Sequence, residues 1–218
     1  MPSLLFSQVQ DLQAEHSTLS NQRIVLGGFS MGGATALTTG LSAWLDGNTT
    51  SMGASETAGI LTSPPVNKLL PSLAGLAGIF SFSSWISTQS SFWPKLEAAR
   101  LRRLDAISSS TSSGDNSVSS GSDISSSSGS DTTTSSSVPP LLPPVFLGHG
   151  SADALIPYAW GVDTHARLLS QHMKSDGANG EPDENTVLWV LEPDVEHKPG
   201  PRMLAELLEW TLRALPPI

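Results

Sequence analysis

The sequence predicts an α/β fold: a mainly parallel sheet of about four strands, clothed by helices on both faces. Three observations lead there. Four short apolar runs, at 24–29, 76–82, 145–148 and 187–191, alternate with longer segments of helical character. The first run is β-branched at Ile24 and Val25, enters a glycine-dense turn, and leaves it into an Ala-rich stretch that fits only a helix. Finally, 218 residues with 38% hydrophobic content suffice to bury one domain core.

In chain order, Ser3 caps a first helix whose Leu5, Val9 and Leu12 fall at i, i+4 and i+7, running to about His16. Residues 17–22 turn the chain into the first strand, and the helix after Ser30 covers about 31–45. Residues 46–65 are polar, rich in Gly, Ser and Thr, and end in Pro64-Pro65, the signature of a surface loop. The strand at 76–82 follows, then a charged helix over 93–104. From 108 to 137, 21 of 30 residues are Ser or Thr; with almost nothing to bury, this segment is expected to be a disordered, inert insertion. The single domain is therefore expected to comprise 1–107 and 138–218. Pro139-Pro140 and Pro143-Pro144 make a stiff lead-in to the third strand. A helix over 160–174, a Gly/Asn/Asp-rich loop and the fourth strand come next. A last amphipathic helix spans 201–215, with Leu204, Leu207, Leu208 and Leu212 expected on one face.

Composition excludes several functions. A net charge of −9 argues against a nucleic-acid partner, which would need a basic face. No apolar run approaches the ~18–20 residues of a membrane span, so any membrane contact is expected to be peripheral. The absence of cysteine removes disulfides and thiolate metal sites and suits a reducing compartment. The amino-terminal residues lack the charged start and long apolar stretch of a secretory signal, so a cytoplasmic location is expected. No metal or cofactor is called for.

The chemistry concentrates in Gly28-Phe29-Ser30-Met31-Gly32, a G-x-S-x-G nucleophile elbow between strand and helix. Small residues two before and two after Ser30 are expected to let the backbone pass closely, while Ser30 takes a strained φ/ψ that pushes its Oγ outward. The helix that starts there aims its N-terminus at the site, so the Met31 N–H can donate to a developing oxyanion. A nucleophilic serine needs a base and an orienting acid, supplied in parallel sheets by loops at the carboxyl ends of strands. Of five histidines, His16, His165 and His172 lie in expected helices, where a packed or solvated role is the default. His149 ends the third strand, and His197 follows the fourth just ahead of the last helix. Asp153 sits just past strand three, whereas Asp163 is already helical. The chain order Ser30, Asp153, His197 matches the Ser…Asp…His order of this elbow. Asp194 competes for the acid's place, but it lies in the same short loop as His197 and is disfavoured.

Gly27-Gly28-Phe29-Ser30-Met31-Gly32-Gly33-Ala34, His149-Gly150-Ser151-Ala152-Asp153 with Ile156-Pro157, and the His197 loop together resemble the acyl-protein thioesterases. These belong to the phospholipase/carboxylesterase branch of the α/β-hydrolases. Residues 76–85 are similar to that family's strand after the nucleophile helix. The resemblance implies a serine hydrolase in which Ser30 is the nucleophile, Asp153 the acid and His197 the base. Its implied substrates are acylated proteins or lipid esters, cleaved at thioester or ester bonds. Two departures stand out. Residues 46–65 and the Ser-rich segment swell the interval from Ser30 to Asp153, at little cost if both fall between elements. Ser30 also comes early, with no counterpart upstream for the family's first strands or for the loop that gives a second oxyanion donor. The fold is therefore expected to be a partial α/β-hydrolase, its first strand paired on one side only and prone to aggregation. Lacking one oxyanion donor would cost on the order of 10²–10³ in kcat. The alternative reading is an inactive or weakly active hydrolase fragment that serves at most as a binding module.

Overall fold

Four parallel strands follow one another across the sheet in chain order: β1 (Val25–Phe29), β2 (Gly78–Phe82), β3 (Val145–Gly150) and β4 (Val187–Glu192). The computed structural model describes residues 2–16, 19–50, 75–111, 142–173 and 186–216. The register sets Leu26 beside Ile79, Ile79 beside Val145, and Val145 beside Val187, so β-branched and Leu side chains line one row across the sheet. All six residues of β3 are buried, as a central strand covered on both faces requires. The helices are α1 (Pro2–Glu15), α2 (Met31–Thr50), α3 (Phe92–Thr111), α4 (Tyr158–Met173) and α5 (Pro201–Ala214). Among the described residues β1 pairs with β2 alone, so it lies at the sheet's edge.

Because successive side chains alternate across a strand, the sheet feeds two cores. On one face Leu26, Ile79, Val145, Leu147 and Val187 pack with Leu37 and Leu41 of α2, Leu96 of α3 and Leu168 of α4. On the other, Phe82, Phe146 and Val190 pack with Met203 and Trp210 of α5. Two glycines admit the large α5 side chains. A Cβ on Gly78 would lie 2.5 Å from the Trp210 ring, and one on Gly148 would lie 2.9 Å from Met203 Sδ. The sheet surface is notched where the helix is bulkiest.

Three expectations need correction. Helix α2 runs on to Thr50, five residues into the segment expected to be a loop. Lys95 of α3 reaches the Asp46 carboxylate of that extension at 3.6 Å, and a helix already nucleated carries polar residues at a cost of under ~1 kcal/mol each. Likewise α3 continues to Thr111, taking in the first four residues of the expected insertion; 112–137 lie outside the described residues. Helix α5, thirdly, presents a different face to the sheet. Met203 and Trp210 are buried with Leu207 half-buried beside them, whereas Leu204, Leu208 and Leu212 are exposed. Both stripes have helical spacing, and only the glycine notches decide between them.

That choice of face is measurable by urea unfolding. Trp210→Ala is expected to cost about 3–5 kcal/mol, whereas Leu208→Ala is expected to stay within about 0.5 kcal/mol. A reversed pair of values would mean that α5 is rotated the other way.

Candidate active site

Ser30 alone joins β1 to α2. So abrupt a turn needs a left-handed residue, and Ser30 has φ 55°. Its N–H donates to the Phe82 carbonyl at 2.8 Å, which ties the turn to the end of β2. The glycines around it differ in what they permit. A Cβ on Gly28 would come within 2.5 Å of the Gly32 backbone, and one on Gly33 would collide with Ser81 Oγ. A Cβ added at Gly32 would meet nothing within 4 Å outside its own helix, contrary to the expectation that the second close approach occurs there. The tight contact falls one residue later, where α2 crosses β2.

From this turn the Ser30 hydroxyl donates to His197 Nε2 at 3.0 Å. His197 Nδ1–H in turn donates to Asp153 Oδ2 at 2.8 Å. The other carboxylate oxygen, Oδ1, accepts the N–H groups of Leu155 at 3.0 Å and Ile156 at 2.9 Å. Ser30, His197 and Asp153 thus stand in one hydrogen-bonded line at the carboxyl edge of the sheet. The imidazole Nδ1 is taken by Asp153, not by Asp194. Asp194 holds φ 59° and gives its N–H to Ser151 Oγ at 2.9 Å, shaping the loop instead. Met31 is the first residue of α2, where N–H groups have no partner within the helix. His16 follows α1, and His165 and His172 belong to α4. His165 Nε2 donates to the Val187 carbonyl at 3.2 Å.

The loop carrying His197 is held from both ends. Its Val195 carbonyl accepts Ala152 N–H at 3.0 Å, binding it to the Asp153 turn. At its far end the buried Glu192 carboxylate accepts Arg202 N–H at 3.1 Å and Met203 N–H at 2.9 Å. Glu192 thereby supplies acceptors and negative charge to the N-terminus of α5, whose cap position, Gly200, has no side chain to do so. A Cβ on Gly200 would strike that carboxylate. Sequence reasoning missed Glu192, for nothing in its spacing announces a cap so far ahead of the helix.

The electrostatics keep the acid charged. Burial alone would push the Asp153 carboxyl up, but hydrogen bonds from Ile156 N–H, His197 and Leu155 N–H outweigh it and leave it below the usual carboxylate value. Burial holds His149, beside Asp153, below the ordinary imidazole value despite its bond to the Ile156 carbonyl and the nearby carboxylate. His165 is lowered too, again by burial.

An apolar rim surrounds the line. The Phe29 ring lies tilted against His197, centroids 4.6 Å apart, and Met31, Leu155, Tyr158 and Trp160 are all exposed. A groove of about 280 Å³ begins at Met31 and runs along Ala34, Thr35 and Thr38 to Trp85. A second hollow of about 340 Å³ shares Trp85 and continues to Trp160.

No family model matches the chain, nor does any curated protein. Among solved structures, a single-substitution variant of Arabidopsis thaliana SOBER1 aligns over 99% of this chain and 64% of its own, at 14% identity and a TM-score of 0.51. Zea mays acyl-protein thioesterase 2 aligns over 99% of this chain and 66% of its own, at 18% identity and a TM-score of 0.49. Esterase PE8 aligns over 98% of this chain and 60% of its own, at 16% identity and a TM-score of 0.48. The likeness is one of fold: the chain has an α/β-hydrolase fold, with four parallel strands flanked by helices. It spans 60% to 66% of the length of these three proteins.

Two expectations follow. Gly33→Ala should destabilise by about 1–3 kcal/mol through overpacking, while Gly32→Ala should be neutral or slightly stabilising; equal costs in urea would contradict the elbow geometry. For pH, His149 is lowered from 6.5, so below that value the unfolded chain takes up a proton the fold refuses. Stability is then expected to decline as pH falls through 6.5, by up to about 1.4 kcal/mol per pH unit for this group. Thermal melting should show a lower Tm at pH 5.5 than at 7.5. A flat profile would mean that His149 charges freely in the fold.

Proposed function

We propose that this chain is a serine hydrolase that cleaves acyl thioesters or esters, of the acyl-protein thioesterase and carboxylesterase type. The observation that carries the reading is the hydrogen-bonded line from Ser30 Oγ through His197 to Asp153. It starts from a left-handed residue at a helix N-terminus. An ionised Asp153 fixes the proton on His197 Nδ1, which leaves Nε2 free to accept from Ser30.

The chemistry runs in two steps. Ser30 Oγ attacks the acyl carbonyl carbon as its proton passes to His197 Nε2, and the Met31 N–H stabilises the oxyanion. Collapse expels the thiol or alcohol, which takes the proton back from the imidazolium. Water, its proton taken by His197, then attacks the acyl-enzyme carbonyl, and collapse releases the carboxylic acid as the imidazolium returns that proton to Ser30 Oγ. No step calls for a metal or organic cofactor.

Substrate class follows from the surroundings. The groove from Met31 to Trp85 and the apolar rim suit an acyl chain, which gains roughly 0.8 kcal/mol per CH₂ buried. Acylated proteins and lipid esters are the proposed substrates, met by peripheral contact where they lie at a membrane. Among the described residues no helix is long and apolar enough to cross one. The proposed setting is the cytoplasm. A second reading, a hydrolase-fold binding module of little activity, draws on the one-sided pairing of β1.

A fluorophosphonate probe separates the two readings, since it labels an activated serine and ignores a passive one. Labelling is expected on Ser30. Ser30→Ala should abolish it and cut kcat on a short acyl thioester by at least about 10³-fold. An intact, folded protein that resists the probe would favour the binding module.

A further inference from the structure

His149 is the last residue but one of β3, its side chain is wholly buried, and the proposed two-step chemistry gives it no part. Its surroundings define its state. Nε2 lies 2.9 Å from the Ile156 carbonyl oxygen and 3.2 Å from Asp153 Oδ2. A carbonyl oxygen can only accept, so Nε2 carries the proton, donates it to Ile156 and holds it close to the Asp153 carboxylate. Nδ1 is buried with no hydrogen-bond partner. Gly161 of α4 backs it so closely that a Cβ there would lie 2.9 Å from Nδ1, while the Trp189 ring lies 6.2 Å away on the β4 side. A second proton on Nδ1 would have no acceptor, so the ring stays neutral.

The same few atoms close a circuit. Asp153 Oδ1 accepts the Ile156 N–H, the Ile156 carbonyl accepts His149 Nε2–H, and that N–H also reaches Asp153 Oδ2. Oδ2 is the oxygen that His197 Nδ1–H uses. One carboxylate oxygen therefore receives two imidazoles, one that moves protons and one that does not.

We infer that His149 is a positioning residue: its single Nε2–H fixes the Asp153 carboxylate against the Ile156 turn and draws charge from the oxygen that faces His197. The inference rests on the serine-hydrolase reading, which assigns Asp153 its role. Two effects follow. Without the donor, Oδ2 bears more charge and holds the His197 proton more tightly, so activity fails at a higher pH on the acidic side. The carboxylate also gains freedom to rotate, so the imidazole spends less time aligned with Ser30. The titratable groups around His149 are Asp153 and, through it, His197, with His165 packed on the same Trp189 ring, 5.9 Å from its centroid.

The test compares wild type, His149→Phe and His149→Gln by probe labelling and by the pH dependence of kcat and KM on a short acyl thioester. In His149→Phe the midpoint of the acid limb should rise by about half to one pH unit. Its kcat should fall on the order of 10- to 100-fold with KM little changed. Gln keeps a donor at similar reach and should restore most of both. Because the Phe variant can fail to fold, imidazole nitrogen NMR on the wild type gives an independent reading. It should show His149 protonated on Nε2 alone at pH 7. A wild type that resists the probe overturns the serine-hydrolase reading and this inference with it. A labelled wild type whose acid limb His149→Phe leaves unmoved overturns the inference alone, as does a His149 protonated on Nδ1.

Discussion

At the carboxyl edge of the sheet the hydrogen-bond ladder runs one residue further than the strands. Ser30 N–H reaches Phe82 O, Ser83 N–H reaches Gly148 O, and Ser151 N–H reaches Glu192 O, at 2.8, 2.8 and 2.9 Å. Each bond ties the first residue of a turn to the end of the neighbouring strand. The turns that bear Ser30 and Asp153, and the strand end from which the His197 loop departs, therefore inherit the register of the sheet. A line spanning two side-chain hydrogen bonds tolerates misplacement of only a few tenths of an ångström. Loops positioned by their own contacts would not meet that tolerance, because fixing each backbone residue opposes about 1–2 kcal/mol of entropy. Here the sheet supplies the order, and the turns need only leave it in the right direction.

Leaving in the right direction is where local strain enters. Ser30 and Ser83 both adopt left-handed φ directly after their strands, and Asp194 does so soon after β4. For residues with a Cβ this costs on the order of 1–3 kcal/mol each. The strain is opposed by the backbone bonds these residues make, Ser30 N–H to Phe82 O, Ser83 N–H to Gly148 O and Asp194 N–H to Ser151 Oγ, while the Glu192 carboxylate anchors the N-terminus of α5. That carboxylate belongs to the last residue of β4 and binds the first turn of α5, so the loop between them has both ends fixed to one side chain. The same anchor fixes where α5 starts, and the notches over Gly78 and Gly148 set its rotation by admitting Trp210 and Met203.

Much of this was legible in the residues. The strand, the glycine-dense turn and the Ala-rich helix placed Ser30, because elbow chemistry is local and writes itself into consecutive positions. The order of Asp153 and His197 along the chain was legible for a similar reason: both follow apolar runs that end at one edge of a parallel sheet. Contacts through space were not legible. Gly32 and Gly33 are indistinguishable in sequence, and only the crossing of α2 over Ser81 shows which must lack a side chain. The leucines of α5 formed a convincing stripe, but so do Met203, Leu207 and Trp210, and the deciding notches lie far away in sequence. His149 showed up as a rival base, since a histidine beside a strand end reads the same whether it moves a proton or merely holds one. The ends of α2 and α3 were misjudged because Ser, Thr and Gly mark a loop only on average. A helix that is already packed runs through several of them.

Parallel strands also sort the connections into two kinds. Every strand-to-helix turn departs from the carboxyl edge, and every helix-to-strand connection must return to the amino edge. The first kind is brief here, down to the single residue between β1 and α2. The second kind falls, in chain order, between α2 and β2, α3 and β3, and α4 and β4, and the Ser- and Thr-rich run of the sequence belongs to the second of these intervals. Most of the chain between elements thus lies where it re-enters the sheet, and comparatively little where it leaves. A lineage with this layout can add or lose dozens of residues, or recruit them for modification and regulation, without renegotiating the placement of any group at the opposite edge.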